Sequence, residues 1–196
     1  MENNSTVLAL VGERAAELAL AQAEPGTELC RETGVPYFPK LGARQNAVNL
    51  RMVMKPEQAE LFWELLKVGG VRKAGWNLPF RQDQPGILRL YGLVLALSFR
   101  DRPVLAIEPM AGMSPEDREG FSGLLLYCLE HGLKLTYTAD RLKDVMELNV
   151  PQPLRLATPE GWRDTDTAEM ERERAAIGEK AGWDLLQLEW EGEGNE

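Results

Sequence analysis

Residues Ile87–Phe99 read "ILRLYGLVLALSF". The run is apolar on both parities, which is the expected pattern for a central strand covered on both faces. Gly92 fits a bulge within such a strand. The run is too short to span a bilayer and carries Arg89. Reading it as a strand decides the fold, because recognisable elements flank it on both sides.

Downstream, "RDRP" turns the chain and "VLAIE" (Val104–Glu108) returns as a second strand. "SPED" (Ser114–Asp117) then starts a helix, with Ser114 as cap, Pro115 at the first position and Asp117 as the capping-box acid. That helix runs to Glu130 with Phe121, Leu124, Leu125 and Cys128 as its buried stripe, and Gly132 closes it. "KLTYT" (Lys134–Thr138) alternates, with Leu135 and Tyr137 inward. Upstream, "AVNLRMVM" (Ala47–Met54) also alternates, placing Val48, Leu50, Met52 and Met54 on one face of a half-buried strand. "KPEQAELFWELLK" reads as a helix with Ala59, Phe62, Trp63 and Leu66 on one stripe, ended by Gly69-Gly70.

The order strand, helix, strand, strand, helix, strand predicts an α+β domain of ferredoxin-like βαββαβ topology: one antiparallel sheet with both helices on one face. The expected divisions are an N-terminal helical extension (1–33), a central α+β domain (34–150) and an acidic helical C-terminal extension (151–196). In the first, Ser5–Ala23 reads as a helix, with a strand over Val7–Val11 as the competing reading. In the last, Leu142, Val145 and Met146 suggest a short helix. An exposed charged helix follows, and then a tail bearing Trp183, Leu186 and Trp190. No fixed-period repeat is present.

Composition bounds the function. A length of 196 residues with 44% hydrophobic and 27% charged side chains describes an ordinary globular chain. The start lacks the basic patch of a secretory signal, and two cysteines make no disulfide framework, so a cytoplasmic protein without a membrane partner is expected. The net charge of −9 is uneven: −4 over residues 1–33, +6 over 34–105 and −11 over 106–196.

Most catalytic constellations are missing. His131 is the one histidine and sits where it can interact with a helix dipole, which excludes multi-His metal sites. Cys128 lies on an apolar stripe and reads as core. Gly70–Asn77 approaches a phosphate-binding G-x-x-x-x-G-K-[ST] loop, but Trp76 and Asn77 stand where Lys and Ser/Thr are needed. Glu108 ends a strand and could face a cleft, but no second acid pairs with it. Asp164 and Asp166 form a D-x-D pair that chance explains. No cofactor, metal or catalytic residue is therefore expected.

One loop stands out. Val68–Gly86 carries Arg72, Lys73 and Arg81 for phosphates and Trp76 and Phe80 for base stacking. Arg44, Arg51, Arg100 and Arg102 would extend its basic surface. The bland alternative is a lid folded over its own sheet. The strands at Ala47–Met54 and Val104–Glu108 carry no aromatic residue, so an RNA-binding sheet platform fails. These residues point first to a non-catalytic binding or adaptor protein with a protein partner or self-association. A nucleic-acid-associated protein using the loop comes second, and an enzyme or small-ligand domain with unadvertised carboxylate chemistry third.

Overall fold

The apolar run at Ile87–Phe99 is a helix, not a strand. Its length exceeds that of an ordinary strand, and it holds five Leu against two β-branched residues, Ile87 and Val94. A helix apolar all round is stable where protein encloses it. Here Ile87, Leu90, Tyr91, Leu93, Val94 and Leu97 are all buried, and Leu88 and Leu95 pack against the same core.

The computed structural model describes residues 6–30, 41, 43–52, 54–71, 85–99, 102–177 and 182–192. In chain order the elements are β1 (Val7–Val11), α1 (Ala15–Gln22), β2 (Glu28–Cys30), α2 (Ala43–Arg51), α3 (Pro56–Val68), α4 (Pro85–Leu97) and β3 (Val104–Ala106). Then follow α5 (Pro115–His131), β4 (Leu135–Ala139), α6 (Leu142–Met146), β5 (Pro153–Thr158), β6 (Gly161–Asp166), α7 (Thr167–Ile177) and α8 (Trp183–Glu191).

Among the described residues the strands form one sheet in the order β2-β3-β4-β1-β5-β6. Every neighbouring pair is parallel except the β5–β6 hairpin. Parallel strands need crossover connections, and here helices supply them. The expected ferredoxin-like antiparallel sheet is therefore overturned. So are the terminal helical extensions: the first 33 residues contribute β1 and β2, and the residues after 150 contribute β5 and β6.

Two local misreadings account for the difference. The alternation at Ala47–Met54 lies largely in α2, where residues two apart point about 200° away from each other. Val48 and Met52 are accordingly exposed, while Asn46 is buried and donates from Nδ2 to the Leu41 carbonyl at 3.0 Å. Val7–Val11, the competing strand reading, is the correct one. It lies between β4 and β5, with Val7 opposite Leu135 and Ala9 opposite Leu154, and its side chains enter the cores on both faces of the sheet.

The strand residues divide cleanly between two faces. Val7, Ala9 and Val11, with Val104, Ala106, Leu135, Tyr137, Leu154 and Leu156, face the main core, which α3, α4 and α5 cover and to which Val145, Met170 and Leu186 also belong. Leu10 and Leu105 face the other way and meet Ala15 and Ala19 of α1, with Trp162 alongside. Tyr137 bridges sheet and helix: its ring meets Phe121 edge-on at 5.3 Å, and its hydroxyl accepts from Gln152 Nε2 at 2.7 Å.

The Ser114 capping box forms as the sequence predicts. Ser114 Oγ accepts from Asp117 N–H, and Asp117 Oδ2 accepts from Ser114 N–H, each at 3.2 Å. It seats α5 so closely on the end of α3 that a Cβ on Gly120 would fall onto the Gly69 carbonyl. Gly120→Ala should therefore destabilise the fold by about 1–3 kcal/mol in urea unfolding. Gly123→Ala, whose Cβ would lie 3.1 Å from the Val68 carbonyl oxygen, should cost less. Equal costs would show that α5 and α3 do not meet backbone to backbone.

Candidate functional site

In an open parallel sheet a crevice forms at the carboxyl ends of neighbouring strands whose outgoing connections lead in opposite directions. Here β1 leads to β2 on one side, while its neighbour β4 leads to β5 on the other. The chain leaving the carboxyl ends of β1, β3 and β4 carries Gly12-Glu13-Arg14, Ile107-Glu108-Pro109 and Asp140-Arg141.

Glu108 holds a left-handed backbone conformation, φ 45°, which is uncommon for a residue with a side chain and persists where surroundings enforce it. Two bonds enforce it. Its N–H donates to the Oγ1 of buried Thr138 at 2.9 Å, and its carbonyl accepts from Arg89 Nη1 at 2.7 Å. Arg89 thus ties the apolar helix α4 to the end of β3. Burial lowers the pKa of its guanidinium, and the nearby Glu108 and Cys30 work in the opposite direction. The Cys30 thiol is pushed up to about 11, chiefly by burial and then by Glu28, so it is not a ready nucleophile at neutral pH.

Asp140 is the carboxylic acid whose pKa is displaced at this end of the sheet. Burial raises its pKa first, followed by the charges of Glu13 and Asp144. The connections thus carry Glu13, Glu108 and Asp140 beside Arg14 and Arg141, and among the described residues no cluster of three or more His, Cys, Asp or Glu is placed to hold a metal ion.

The C-terminal helix α8 packs over this end of the sheet. Gln187, itself buried, grips the corner after β4: Leu142 N–H donates to its Oε1 at 2.8 Å, and its Nε2 donates to the Asp140 carbonyl at 2.7 Å. The Gln187 amide also reaches Glu191 Oε1 at 3.0 Å. Gly12 has φ 125°, and a Cβ built there would lie 3.3 Å from both Trp190 Cη2 and Glu191 Oε1. Trp190 contributes ring area rather than polarity, since its Nε1 is buried without a hydrogen-bond partner among the described residues.

Other grooves lie elsewhere among the described residues. One of about 650 Å³ separates α5 from α6, and there Arg118 is paired with Asp144 at 2.8 Å and Glu147 at 3.7 Å. Another of about 330 Å³ lies on the α1 face beside Thr6, Lys134 and Trp162.

The loop residues that the sequence singles out, Arg72, Lys73, Trp76, Phe80 and Arg81, lie outside the described residues, as does Arg100. Arg102 pairs with Glu28 at 3.5 Å. Asp164 pairs with Arg155 at 2.7 Å, while Asp166 accepts from Glu169 N–H at 2.8 Å, so the D-x-D pair is spent on structure. His131 bonds through Nδ1 to the Tyr127 carbonyl at 3.0 Å and stacks on the Tyr127 ring, and Cys128 is fully buried. Sequence reasoning reached Glu108 but missed Glu13, Arg89, Thr138, Asp140 and Gln187. One signal was available: an apolar run ended by Gly12 and followed by an Ala-rich helix marks a strand–turn–helix unit.

The perturbation of Asp140 has a sign. Its folded-state pKa lies above the unfolded value, so its ionised form is disfavoured in the fold at neutral pH. Below the ordinary aspartate pKa, about 3.9, the carboxyl is protonated in both states and the penalty is gone. Asp140→Asn should raise the Tm at pH 7, and the gain should disappear as the pH falls below about 4. A gain independent of pH would assign the effect to shape rather than charge.

No protein-family model matches the chain, and no curated protein matches its sequence. Solved structures do match. An inward-facing ABC transporter described as of metal-chelate type is similar with a TM-score of 0.59 at 12% identity, over 87% of this chain and 75% of that one. The ADP conformation of an ATP-binding cassette of an ABC transporter is similar with a TM-score of 0.54 at 13% identity, over 78% and 76%. The reading as a non-catalytic adaptor on a ferredoxin-like domain is corrected by this likeness to transporter cassettes, while the loop that carries the nucleic-acid reading lies outside the described residues. At these identities the likeness speaks for the fold: the chain has the α/β architecture found in ABC-transporter ATP-binding cassettes.

Proposed function

We propose that this chain works as a cassette-type subunit of a membrane-transport assembly, on the cytoplasmic side, with other transporter subunits as its protein partners. The observation that supports this reading is the sheet order β2-β3-β4-β1-β5-β6 together with the helices α2, α3 and α4 placed between β2 and β3. That arrangement is similar over 87% of the chain to a solved ABC transporter. No helix among the described residues is long and apolar enough to cross a membrane, so in this reading the link to a bilayer runs through a partner protein.

Fractionation of cells that make the protein tests the reading. The chain should sediment with membranes and be released by an alkaline wash. After mild-detergent extraction it should co-elute in constant ratio with a polytopic membrane protein. A chain found wholly in the soluble fraction, eluting as a free monomer, would contradict it.

A further inference from the structure

The fold of an ATP-binding cassette implies a nucleotide at the carboxyl ends of the strands, and the residues of this chain do not fit one. A phosphate cradle of the G-x-x-x-x-G-K-[ST] type follows a strand, opens a helix, and supplies backbone N–H groups, a lysine for the β/γ-phosphates and a hydroxyl for Mg²⁺. The corresponding connection here is Gly12-Glu13-Arg14, with β1 ending at Val11 and α1 starting at Ala15. It contains no lysine, serine or threonine.

The amides at its two ends are also committed. Gly12 N–H donates to the Ala139 carbonyl at 3.0 Å, and Ala15 N–H donates to the Gly12 carbonyl at 2.9 Å. The space over Gly12 is taken by Trp190 and Glu191. Carboxylates also stand here, with Glu13 and Asp140 beside Arg14 and Arg141 in the connections and Glu191 over Gly12.

We infer that this crevice takes the chain's own C-terminal helix and not a nucleoside triphosphate. The helix is recognised through backbone. The Gln187 amide satisfies the Asp140 carbonyl and the Leu142 N–H, the two groups left open where β4 turns into α6. Leu186 anchors the helix in the main core, and Trp190 covers Gly12. Two surface contacts add to the seat: an Arg141–Asp184 pair at 3.3 Å, and the Arg174 guanidinium 4.5 Å above the Trp183 ring. The inference rests on this chain's residues alone and stands or falls apart from the transport reading.

Two measurements test it together. ATP and ADP, each with Mg²⁺, are titrated calorimetrically into the full chain and into Gln187→Ala, while amide hydrogen exchange follows the Leu142 N–H in both. Neither protein should show saturable binding at millimolar nucleotide. The substitution should speed exchange at Leu142 by about threefold to tenfold, the loss of one buried hydrogen bond. Saturable Mg²⁺-dependent ATP binding by the full chain would overturn the inference. Binding by the variant alone would overturn it too, because the helix would then be hiding a competent nucleotide site. Unchanged exchange at Leu142 would remove the Gln187 contact on which the seat depends.

Discussion

A parallel strand cannot be joined to its neighbour by a tight turn, and that constraint on β1 organises this protein. β1 is paired in parallel on both sides, to β4 and to β5. Each pairing therefore requires a long crossover, and each crossover must cover a face of the sheet. The long excursion between β2 and β3 covers the main face with α3 and α4, and α5 follows on the same core. The other face receives α1, whose Ala15 and Ala19 pack against Leu10 and Leu105. An element that is apolar all round, such as α4, is stable only inside this enclosure.

The same geometry opens a crevice beside the ends of β1 and β4, and the chain furnishes it in an unusual way. Its connections carry acids rather than a phosphate-binding loop, and its backbone is held by short internal bonds at Gly12, Glu108 and Asp140. The strained Glu108 is fixed by Arg89 from one side and Thr138 from the other. Helix α8 then lies where a ligand of such sheets would lie. Fold and residues thus make different statements about the site: the architecture is similar to that of solved ATP-binding cassettes, while the side chains favour an intramolecular occupant.

Much of the second half was legible because its signals are local. The Ser114–Asp117 capping box, the apolar stripe of α5, the alternation that buries Leu135 and Tyr137, and the short helix at Leu142–Met146 each follow from spacing over a few residues. The first half misled where spacing loses its meaning. A fully buried segment has no polar face, so periodicity could not separate helix from strand at Ile87–Phe99. Val7–Val11 is a central parallel strand and reads as a continuous apolar run for the same reason. The alternation at Ala47–Met54 arose by chance on a partly exposed helix. The site was harder still. Its acids come from three connections far apart in sequence, and Gln187 reaches Asp140 across 47 residues. The near-match to a phosphate loop stands at Gly70–Asn77, whereas this architecture places the first strand-to-helix turn at Gly12.

The contact of Trp190 with Gly12 is the most direct probe of the account. With a Cβ position at Gly12 only 3.3 Å from the Trp190 ring, the glycine α-proton that takes the Cβ direction lies against the indole. NMR of the full chain should show nuclear Overhauser effects between Gly12 Hα and the Trp190 ring, together with a ring-current shift of that proton. Both should persist unchanged when Mg²⁺-ATP is added. Their absence in the free protein, or their loss on adding nucleotide, would contradict the claim that the crevice belongs to the C-terminal helix.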